Sequence, residues 1–519
     1  MSIRFFHSIA TIGILTLISR ILGFVRDILI AATMGAGPVS DAFFIALKLP
    51  NFFRTLSAEG AFNVAFVPLF ARKLAADGVR EAVEYASTVL SVMVIILLAF
   101  VALAQIGMPI FMYGFAPGFS DDPIRFKYAV DLTRITFPYL LFISLVSLLG
   151  GVLNSFNRFA AAAASPILLN LFLIGAVLIL APVLTTPGHA LAWGVAAAGV
   201  GQLVWLMICL RSAGICIRLP TPRISPEIRL LFSRMVPGAL GAGIAQMNLL
   251  IGIFIASFLP SGSVSFLFYA DRLNQLPLGV IGIAIGTVLL PVLSRQLGQG
   301  EYAQASVTMN RALEIGLLFA VPSALGLAIL AEPIITILFE RGAFQAETTE
   351  ATALALVAYT PGLPAYFLIK VLAPGFFARE DTKTPVKIAA TCVLINVTLS
   401  LILINFLSHA GIALASSIAA WLNVLLLIIC LKRAGFHNLD QRLKERAVKI
   451  CISALGMGGL LWVTLNLFEP TGLEAPFERI GALLIIMSGA LLAYGALSIW
   501  TGAATISEIR DVVRRKTTA

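Results

Sequence analysis

Three charged residues interrupt an apolar segment near the start of the chain. The stretch "SRILGFVRDILIA" places Arg20, Arg26 and Asp27 among aliphatic side chains. A charge at the centre of a membrane helix costs about 2.5–3.5 kcal/mol even on the insertion scale, so it marks a watery cavity, an ion pair or a functional site. Arginine suits a phosphate ligand, because its planar fork binds two oxygens and it stays charged when partly desolvated.

Other apolar segments also carry charges. The basic residues are Lys48, Arg54, Arg134, Arg272 and Lys370, and the acids are Asp41, Glu59, Asp131 and Asp271. Local pairing explains some of them: Arg20 and Asp27 share a helix face two turns apart, and Asp131 and Arg134 are an i,i+3 pair. Asp41 is also placed to cap the helix that follows "GAGPVS".

Pairing leaves an excess of arginine. We therefore expect Arg20, Arg26, Arg54 and Arg272 to bind an anionic substrate in one cavity. We expect the acids Asp27 and Asp271, which adjoin two of these arginines in the sequence, to act in conformational change.

The composition excludes an ordinary soluble protein. The 519 residues are 59% hydrophobic and only 12% charged, about half the charged fraction of a soluble domain. Apolar stretches of about 20 residues or more, enough to cross a bilayer, recur along the whole chain. The five cysteines and four histidines are scattered, so the sequence predicts no metal site, no cofactor and no catalytic residue.

The apolar periods predict an all-α polytopic membrane protein with 14 transmembrane helices. The spans lie near 8–31, 39–71, 83–112, 126–150, 160–182, 187–211, 229–259, 263–294, 304–338, 347–377, 385–407, 411–431, 447–468 and 477–502. Most of the 36 Lys and Arg residues then fall on the side of the two termini, and only Arg125, Lys127, Arg341 and Arg479 on the other. This bias places both termini in the cytoplasm. It assigns the net charge of +10 to topology and anionic lipid heads rather than to nucleic acid.

Two segments indicate an internal repeat. "AFNVAFVPLFARKL" and "AIGTVLLPVLSRQL" align Pro68 with Pro291 and Arg72 with Arg295, six spans apart. Parallel repeats of this kind place the substrate site between two pseudo-symmetric six-helix lobes. We assign residues 1–213 to an N-lobe, 214–228 to a cytoplasmic linker, 229–434 to a C-lobe, and 435–519 to two extra C-terminal helices and a tail.

Prolines and glycines predict hinges in two spans. "LPLGVIGIAIGTVLLP" contains Pro277, Gly279, Gly282 and Gly286, and "LKLPNF" contains Pro50. Proline removes a backbone hydrogen bond and glycine weakens a helix, so we expect both spans to be bent or broken.

Four long segments resemble the MurJ (MviN) lipid II flippase family of the MATE-like MOP exporter superfamily. They are "SRILGFVRDILIA", "GAGPVSDAFFIALKLPNFFRTLSAEGAFNVAFVPLF", "FLFYADRLNQLPLGVIGIAIGTVLLPVLSR" and "LAPGFFAREDTKTPVKIA". The resemblance covers essentially the whole chain. It implies two lobes around a cationic cavity in the bacterial cytoplasmic (inner) membrane, with lipid II as substrate and alternating access driven by membrane potential.

The resemblance also implies residue roles. Arg26, Arg54 and Arg272 would hold the pyrophosphate, and Arg20 would be a further functional arginine. Asp41 is matched to an acid near the outer gate and Glu59 to an inner gating contact. The last two helices would form a groove for the lipid tail.

One feature departs from some relatives, which bind sodium through carboxylates on the seventh and eleventh spans. The polar residues here are Gln246, Asn248, Asn396 and Thr398, so monovalent-ion coupling is not supported by carboxylates. Lipid II and membrane lipids are the expected ligands, and cell-wall synthesis or division proteins are candidate partners.

Three alternatives stay open. A flippase for another undecaprenyl-linked glycan would use the same anion chemistry. A MATE-type multidrug antiporter would need cavity acids rather than an arginine excess. An enzyme acting on polyprenyl phosphates would need metal-binding acidic pairs, and Asp121–Asp122 stands on the predicted outer side without a second acidic motif.

Overall fold

Helices make up the secondary structure of the part of the chain that is described. The computed structural model describes residues 3–56, 62–223, 225–436, 438–468, 470–473 and 475–505, and no strand occurs in these ranges. Glu59, predicted as a gating residue, lies outside the described residues.

Nineteen α-helices follow one another in these ranges. The first ten are α1 (Ile3–Met34), α2 (Pro38–Arg54), α3 (Asn63–Ala76), α4 (Gly78–Ile106), α5 (Met108–Phe115), α6 (Pro123–Thr136), α7 (Tyr139–Ser155), α8 (Phe159–Gly175), α9 (Pro187–Ser212) and α10 (Pro226–Ser257). The others are α11 (Ser263–Gly298), α12 (Tyr302–Ile329), α13 (Ala331–Phe339), α14 (Ala346–Tyr359), α15 (Leu363–Phe377), α16 (Lys383–Leu407), α17 (His409–Arg433), α18 (Gln441–Leu467) and α19 (Pro476–Trp500).

In the described part of the chain, ten helical segments are long and apolar enough to cross a membrane. They are Gly78–Ile106, Pro123–Ser155, Phe159–Leu180, Pro187–Ser212, Tyr302–Ile329, Ala346–Phe377, Lys383–Leu407, His409–Arg433, Gln441–Gly472 and Phe477–Trp500. Each overlaps one of the predicted spans, so the protein is a multi-span membrane protein. The count of fourteen and the cytoplasmic placement of both termini stay predictions.

Helix interruptions recur at corresponding places of the predicted repeat. Pro138 lies at the turn between α6 and α7, and Pro361 lies in the 3-10 helix Thr360–Gly362 between α14 and α15. In the same way Gly107 separates α4 from the short α5, and Leu330 separates α12 from the short α13. The repeat seen in the sequence is therefore matched by the order of long and short helices.

The expected helix breaks at the proline motifs do not occur. Pro50 lies inside α2, which continues to Arg54, and the backbone of Thr55 is still α-helical. Pro277 and Pro291 lie inside α11, whose 36 residues include Gly279, Gly282 and Gly286 without interruption. A proline removes one backbone hydrogen bond of its helix, and the neighbouring turns keep theirs. The proline motifs therefore lie inside continuous helices, and a bend or a hinge function at these positions stays a prediction.

The described chain divides into two compact units. The first comprises Met1–Ser265 and Arg341–Phe344, and the second comprises Phe266–Glu340 and Gln345–Ala519. In the first unit α2 packs on α6, α1 on α8, and α9 on α7 and α8. α10 also packs here, on α3 and α5, although the sequence places it in the C-lobe. The predicted lobe boundaries stay a prediction.

In the second unit, α16 and α17 form a closely packed helix hairpin. α16 packs along α17, where a Cβ added to Gly411 would lie 2.6 Å from the carbonyl carbon of Leu403. Only glycine permits this approach of the two backbones. α12 packs on both α15 and α18, and α19 packs on α18 and α13, so the two C-terminal helices are joined to this unit through α12 and α13.

Candidate functional site

Arg26, on α1, is buried against α8. Its side chain is ion-paired with Asp27, to whose Oδ1 its Nε and Nη2 donate at 3.0 and 2.6 Å. Its Nη1 donates to Oδ1 of Asn170 at 2.8 Å, and Nδ2 of Asn170 donates to the carbonyl of Ser19 at 2.8 Å. Only 7% of Arg26 is exposed. This arrangement holds the guanidinium in a fixed direction and uses three of its five N–H groups.

The ion pair at Asp27 differs from the one that sequence spacing suggested. Arg26 is the partner, and among the described residues the exposed Arg20 has no ion pair. Side-chain pairs on a helix are expected between residues three or four apart, and not between adjacent residues, because the Cβ atoms of adjacent residues point to different faces. A long arginine side chain nevertheless reaches its neighbour. The substrate-binding role of Arg20 stays a prediction.

Asn170 was missed by sequence reasoning, and its hydrogen bond with Arg26 can be tested by mutation. In Asn170→Leu, the Arg26 Nη1 loses its acceptor inside the protein, which costs about 1–3 kcal/mol of unfolding free energy. Thermal unfolding of the purified protein measures the loss. Asn405→Leu is the matched control, because the exposed Asn405 donates only within its own helix. Equal unfolding temperatures for the two variants would contradict the role given to Asn170.

Arg54 lies at the end of α2, half-buried, beside a polar cavity of about 280 Å³. Its Nε donates to Oδ1 of Asn51 at 3.2 Å, and Nδ2 of Asn51 donates to the Leu47 carbonyl at 2.8 Å. The cavity is formed within the first unit by α2, α7, α8 and α9. Arg26 is not among its lining residues. Arg54 is thus the predicted arginine that the structure places at a polar cavity.

Arg272 and Asp271 lie on α11 in the second unit, and both are half-buried. The guanidinium carbon of Arg272 is 4.7 Å from the ring centre of Phe268, a cation–π contact within one helical turn. The carboxylate of Asp271 accepts a hydrogen bond from Nε2 of Gln275. Because Arg26 and Arg54 belong to the first unit, the convergence of these arginines with Arg272 in one cavity stays a prediction.

Asp41 is fully buried and has four hydrogen-bond donors around its carboxylate. Oδ1 accepts from the backbone N–H of Ser265 at 2.8 Å and from its hydroxyl at 2.6 Å. Oδ2 accepts from the backbone N–H of Gly262 at 2.8 Å and from Nη2 of Arg125 at 2.7 Å. α2 is therefore tied to α6, to the segment that connects α10 with α11, and to the first turn of α11, all within the first unit.

Arg125 completes this buried cluster. Its Nη1 donates to the Leu259 carbonyl at 2.9 Å, and its guanidinium carbon lies 3.8 Å from the ring centre of Phe119. Sequence reasoning listed Arg125 only as one of few basic residues on the predicted outer side. That rarity was the available signal, but nothing in the sequence indicates its proximity to Asp41. We call Asp41, Arg125, Gly262 and Ser265 the acid cluster.

A second close contact of the first unit joins the end of α1 to residues 341–344. The N–H of Ala343 donates to the carbonyl of Ala32 at 2.8 Å. Gly35 and Gly342 have φ angles of +58° and +59°, and a Cβ on either would lie within 2.3 Å of a carbonyl oxygen of the facing segment. Both positions therefore require glycine, for conformation and for space.

The amide residues singled out on the seventh and eleventh predicted spans lie on α10 and α16. Asn396 is buried and accepts a hydrogen bond from Ser400 at 3.5 Å, while Gln246 is half-buried. Within the described ranges no group of three or more His, Cys, Asp or Glu side chains is placed to hold a metal ion. Ion coupling itself stays untested.

Comparison with known proteins gives one family. The family model for the lipid II flippase MurJ matches residues 30–480. A probable lipid II flippase MurJ of Rhizobium meliloti is 43% identical over 518 residues, covering 98% of this chain and 96% of the relative. The lipid II flippase MurJ of Burkholderia cenocepacia is 37% identical over 501 residues, covering 95% of this chain and 96% of the relative.

Solved structures agree with this assignment. A lipid II flippase MurJ in an inward closed conformation has a TM-score of 0.78 at 27% identity, covering 97% of this chain and 99% of the other. An inward-facing multidrug resistance MATE transporter of the MOP superfamily has a TM-score of 0.68 at 15% identity over 82% of this chain and 99% of the other, which shows a shared fold. The chain therefore belongs to the lipid II flippase MurJ family.

Proposed function

We propose that this protein is a lipid II flippase of the bacterial cytoplasmic membrane. It moves a lipid-linked oligosaccharide, the undecaprenyl-pyrophosphate-linked peptidoglycan precursor, from the inner to the outer leaflet by alternating access. The observation that carries the proposal is Arg54, a half-buried guanidinium beside a polar cavity within an apolar helical protein. A charge in an apolar segment marks a functional site or an ion pair, and the planar fork of arginine suits a pyrophosphate.

A large apolar cavity in the second unit supports a lipid substrate. It has a volume of about 700 Å³ and is lined by residues of α11, α12, α13, α18 and α19, among them Leu276, Leu330, Met457 and Leu491. Burial of a methylene group contributes about 0.8 kcal/mol, so a long isoprenoid chain gains much from such a surface. We assign the cavity to the lipid tail, in agreement with the groove expected from the last two helices.

The acid cluster supports a gate. Its buried carboxylate and guanidinium join three segments of the first unit on the predicted outer side. A buried cluster whose carboxylate accepts four hydrogen bonds favours one arrangement, and a protein that alternates between two states must break it to reach the other. We assign Asp41 to this outer gate. Asp27, Asp271 and Glu59 stay candidates for conformational roles, and membrane potential is the proposed driver.

Other functions fit the site less well. A flippase for a different undecaprenyl-linked glycan would share the anion and tail chemistry, so the substrate test below must separate the two. A MATE-type antiporter shares the fold, but its cation substrates would meet Arg54 at the cavity. Lipid II and membrane lipids are the proposed ligands, and cell-wall synthesis or division proteins are candidate protein partners.

The test is complementation of a bacterium depleted of its own lipid II flippase. We expect Arg26→Ala, Arg54→Ala and Arg272→Ala each to reduce lipid II arrival at the outer leaflet at least tenfold, because losing a desolvated charge partner costs about 2–5 kcal/mol. Lysine variants test whether charge alone suffices. Arrival is measured by accessibility of lipid II to an external probe, with membrane abundance checked for each variant.

Arg80→Ala is the control, since Arg80 is exposed and its pair with Glu81 lies on the surface. Full transport by all three arginine variants at normal abundance would mean that these arginines are structural. Restored transport of a different glycan lipid, without lipid II, would favour the alternative flippase.

A further inference from the structure

The cavity beside Arg54 has polar walls on several helices. Its polar lining residues are Asn51, Arg54, Ser147, Asn154, Ser165 and Gln202. Gly150 and Gly151 form part of the α7 wall and project no side chain into the space. All of these residues belong to the first unit. The cavity thus has several polar side chains next to Arg54, the residue proposed to bind the pyrophosphate.

Three oxygen atoms at this cavity are buried and have no hydrogen-bond partner. They are Oε1 of Gln202, Oδ1 of Asn154 and Oγ of Ser165. Only 1% of Gln202 is exposed, and its Nε2 donates to the Ser165 carbonyl at 2.8 Å. That bond fixes the orientation of the Gln202 amide, so the atom without a partner is the acceptor Oε1. Buried polar atoms are rarely left unpaired, and three around one cavity indicate a bound partner.

The chemistry of these atoms restricts the partner. Amide oxygens accept hydrogen bonds and donate none, whereas a serine hydroxyl does both. A phosphate inside the chamber would face acceptors, and a cation would face Arg54. A water occupies about 30 Å³, so a cavity of about 280 Å³ has room for a much larger group. A neutral group with several O–H or N–H donors, linked to an anion held by Arg54, matches the polar lining residues, and its carbon skeleton faces the apolar ones.

We propose that this cavity is a sugar subsite, which takes the sugar ring bonded directly to the pyrophosphate. The inference rests on the proposed function, in which Arg54 binds that pyrophosphate. Hydroxyl or amide N–H groups of the ring donate to Gln202 and Asn154, and the Ser165 hydroxyl adds a third contact. Drug-sized ligands occupy pockets of about 300–1,000 Å³, so a cavity slightly below this range accepts one ring. The second sugar and the peptide remain outside it.

The test compares two probes on the full-length protein in lipid nanodiscs. One probe is undecaprenyl pyrophosphate without sugar, and the other is lipid II. We expect Gln202→Met and Asn154→Leu, which keep the side-chain size, to raise the Kd for lipid II about tenfold and to leave the Kd for undecaprenyl pyrophosphate unchanged. Ser165→Ala removes a single hydroxyl and is expected to raise the Kd for lipid II about threefold.

Gln296→Met is the matched control. Gln296 is also a buried amide whose Nε2 is bonded and whose Oε1 lacks a partner, but it does not line this cavity. It should change neither Kd. Equal weakening of both probes by Gln202→Met, Asn154→Leu and Ser165→Ala would overturn the subsite, and so would no change with either probe.

The design separates failure of the subsite from failure of the proposed function. Arg54→Ala is expected to weaken both probes, because it removes the shared pyrophosphate contact. If wild-type protein binds both probes with the same Kd, the sugar adds nothing and the subsite is wrong, while the flippase proposal stands. If wild-type protein binds neither probe, both are overturned.

Discussion

Asp41→Ala is expected to abolish transport and to lower the free energy of unfolding by about 3–5 kcal/mol. The substitution leaves the Arg125 guanidinium buried without its carboxylate, and removing one partner of a buried ion pair has a cost of this size. It also leaves two backbone N–H groups, those of Gly262 and Ser265, without an acceptor. Thermal unfolding in detergent and the complementation assay measure the two effects.

Two further variants test whether the acid cluster acts as a unit. Arg125→Met should be similarly destabilising, and Asp41→Ala combined with Arg125→Met should lose less stability than the two single changes together. Asp77→Ala is the control, since Asp77 forms only a surface pair with Lys73 and should change stability by less than about 1 kcal/mol. Strict additivity of the Asp41 and Arg125 changes would show that the pair is not coupled.

A disulfide between Ala32→Cys and Ala343→Cys is expected to stop transport under oxidising conditions. The hydrogen bond between the Ala343 N–H and the Ala32 carbonyl brings the two backbones close enough for the roughly 4.4–6.8 Å Cα separation that a disulfide requires. If the predicted outer side must open, a covalent link here holds it closed. A reductant should restore transport to the uncrosslinked rate within the same membranes.

The experiment needs a background without the five native cysteines, of which Cys216 and Cys451 are exposed. Each single cysteine variant should transport normally with and without oxidant, which controls for damage by the reagents. Full transport by crosslinked protein would mean that the contact between the end of α1 and residues 341–344 does not open during the cycle.

The helices were predictable from the sequence because their apolar stretches are long. The effect of proline was overestimated: α2 and α11 both continue through theirs, since a single missing hydrogen bond does not end a helix that packing supports. The sequence could not show that α10 packs in the first unit. Repeat symmetry gives no information about which neighbours a helix packs against in one conformation.

The candidate site was predictable in its charged residues and not in their partners. Arg26, Arg54 and Asp41 are conspicuous because charge is rare in apolar segments. Asn170 and Gln202 are not, since a neutral amide in a helix attracts no notice from spacing or charge. Each acts through a contact with a residue on a different helix, and only the folded chain shows such a contact.

The continuity of α11 has a mechanical consequence. At 1.5 Å per residue its 36 residues form a rod about 54 Å long. Ser265, which is bonded to Asp41, and Arg272 lie two turns apart on this rod, about 10 Å along its axis. Because a helix transmits rotation along its length with little loss, any tilt or twist that releases Ser265 also moves Arg272. The opening of the acid cluster and the displacement of Arg272, a proposed substrate-binding residue, would then be a single motion of one helix.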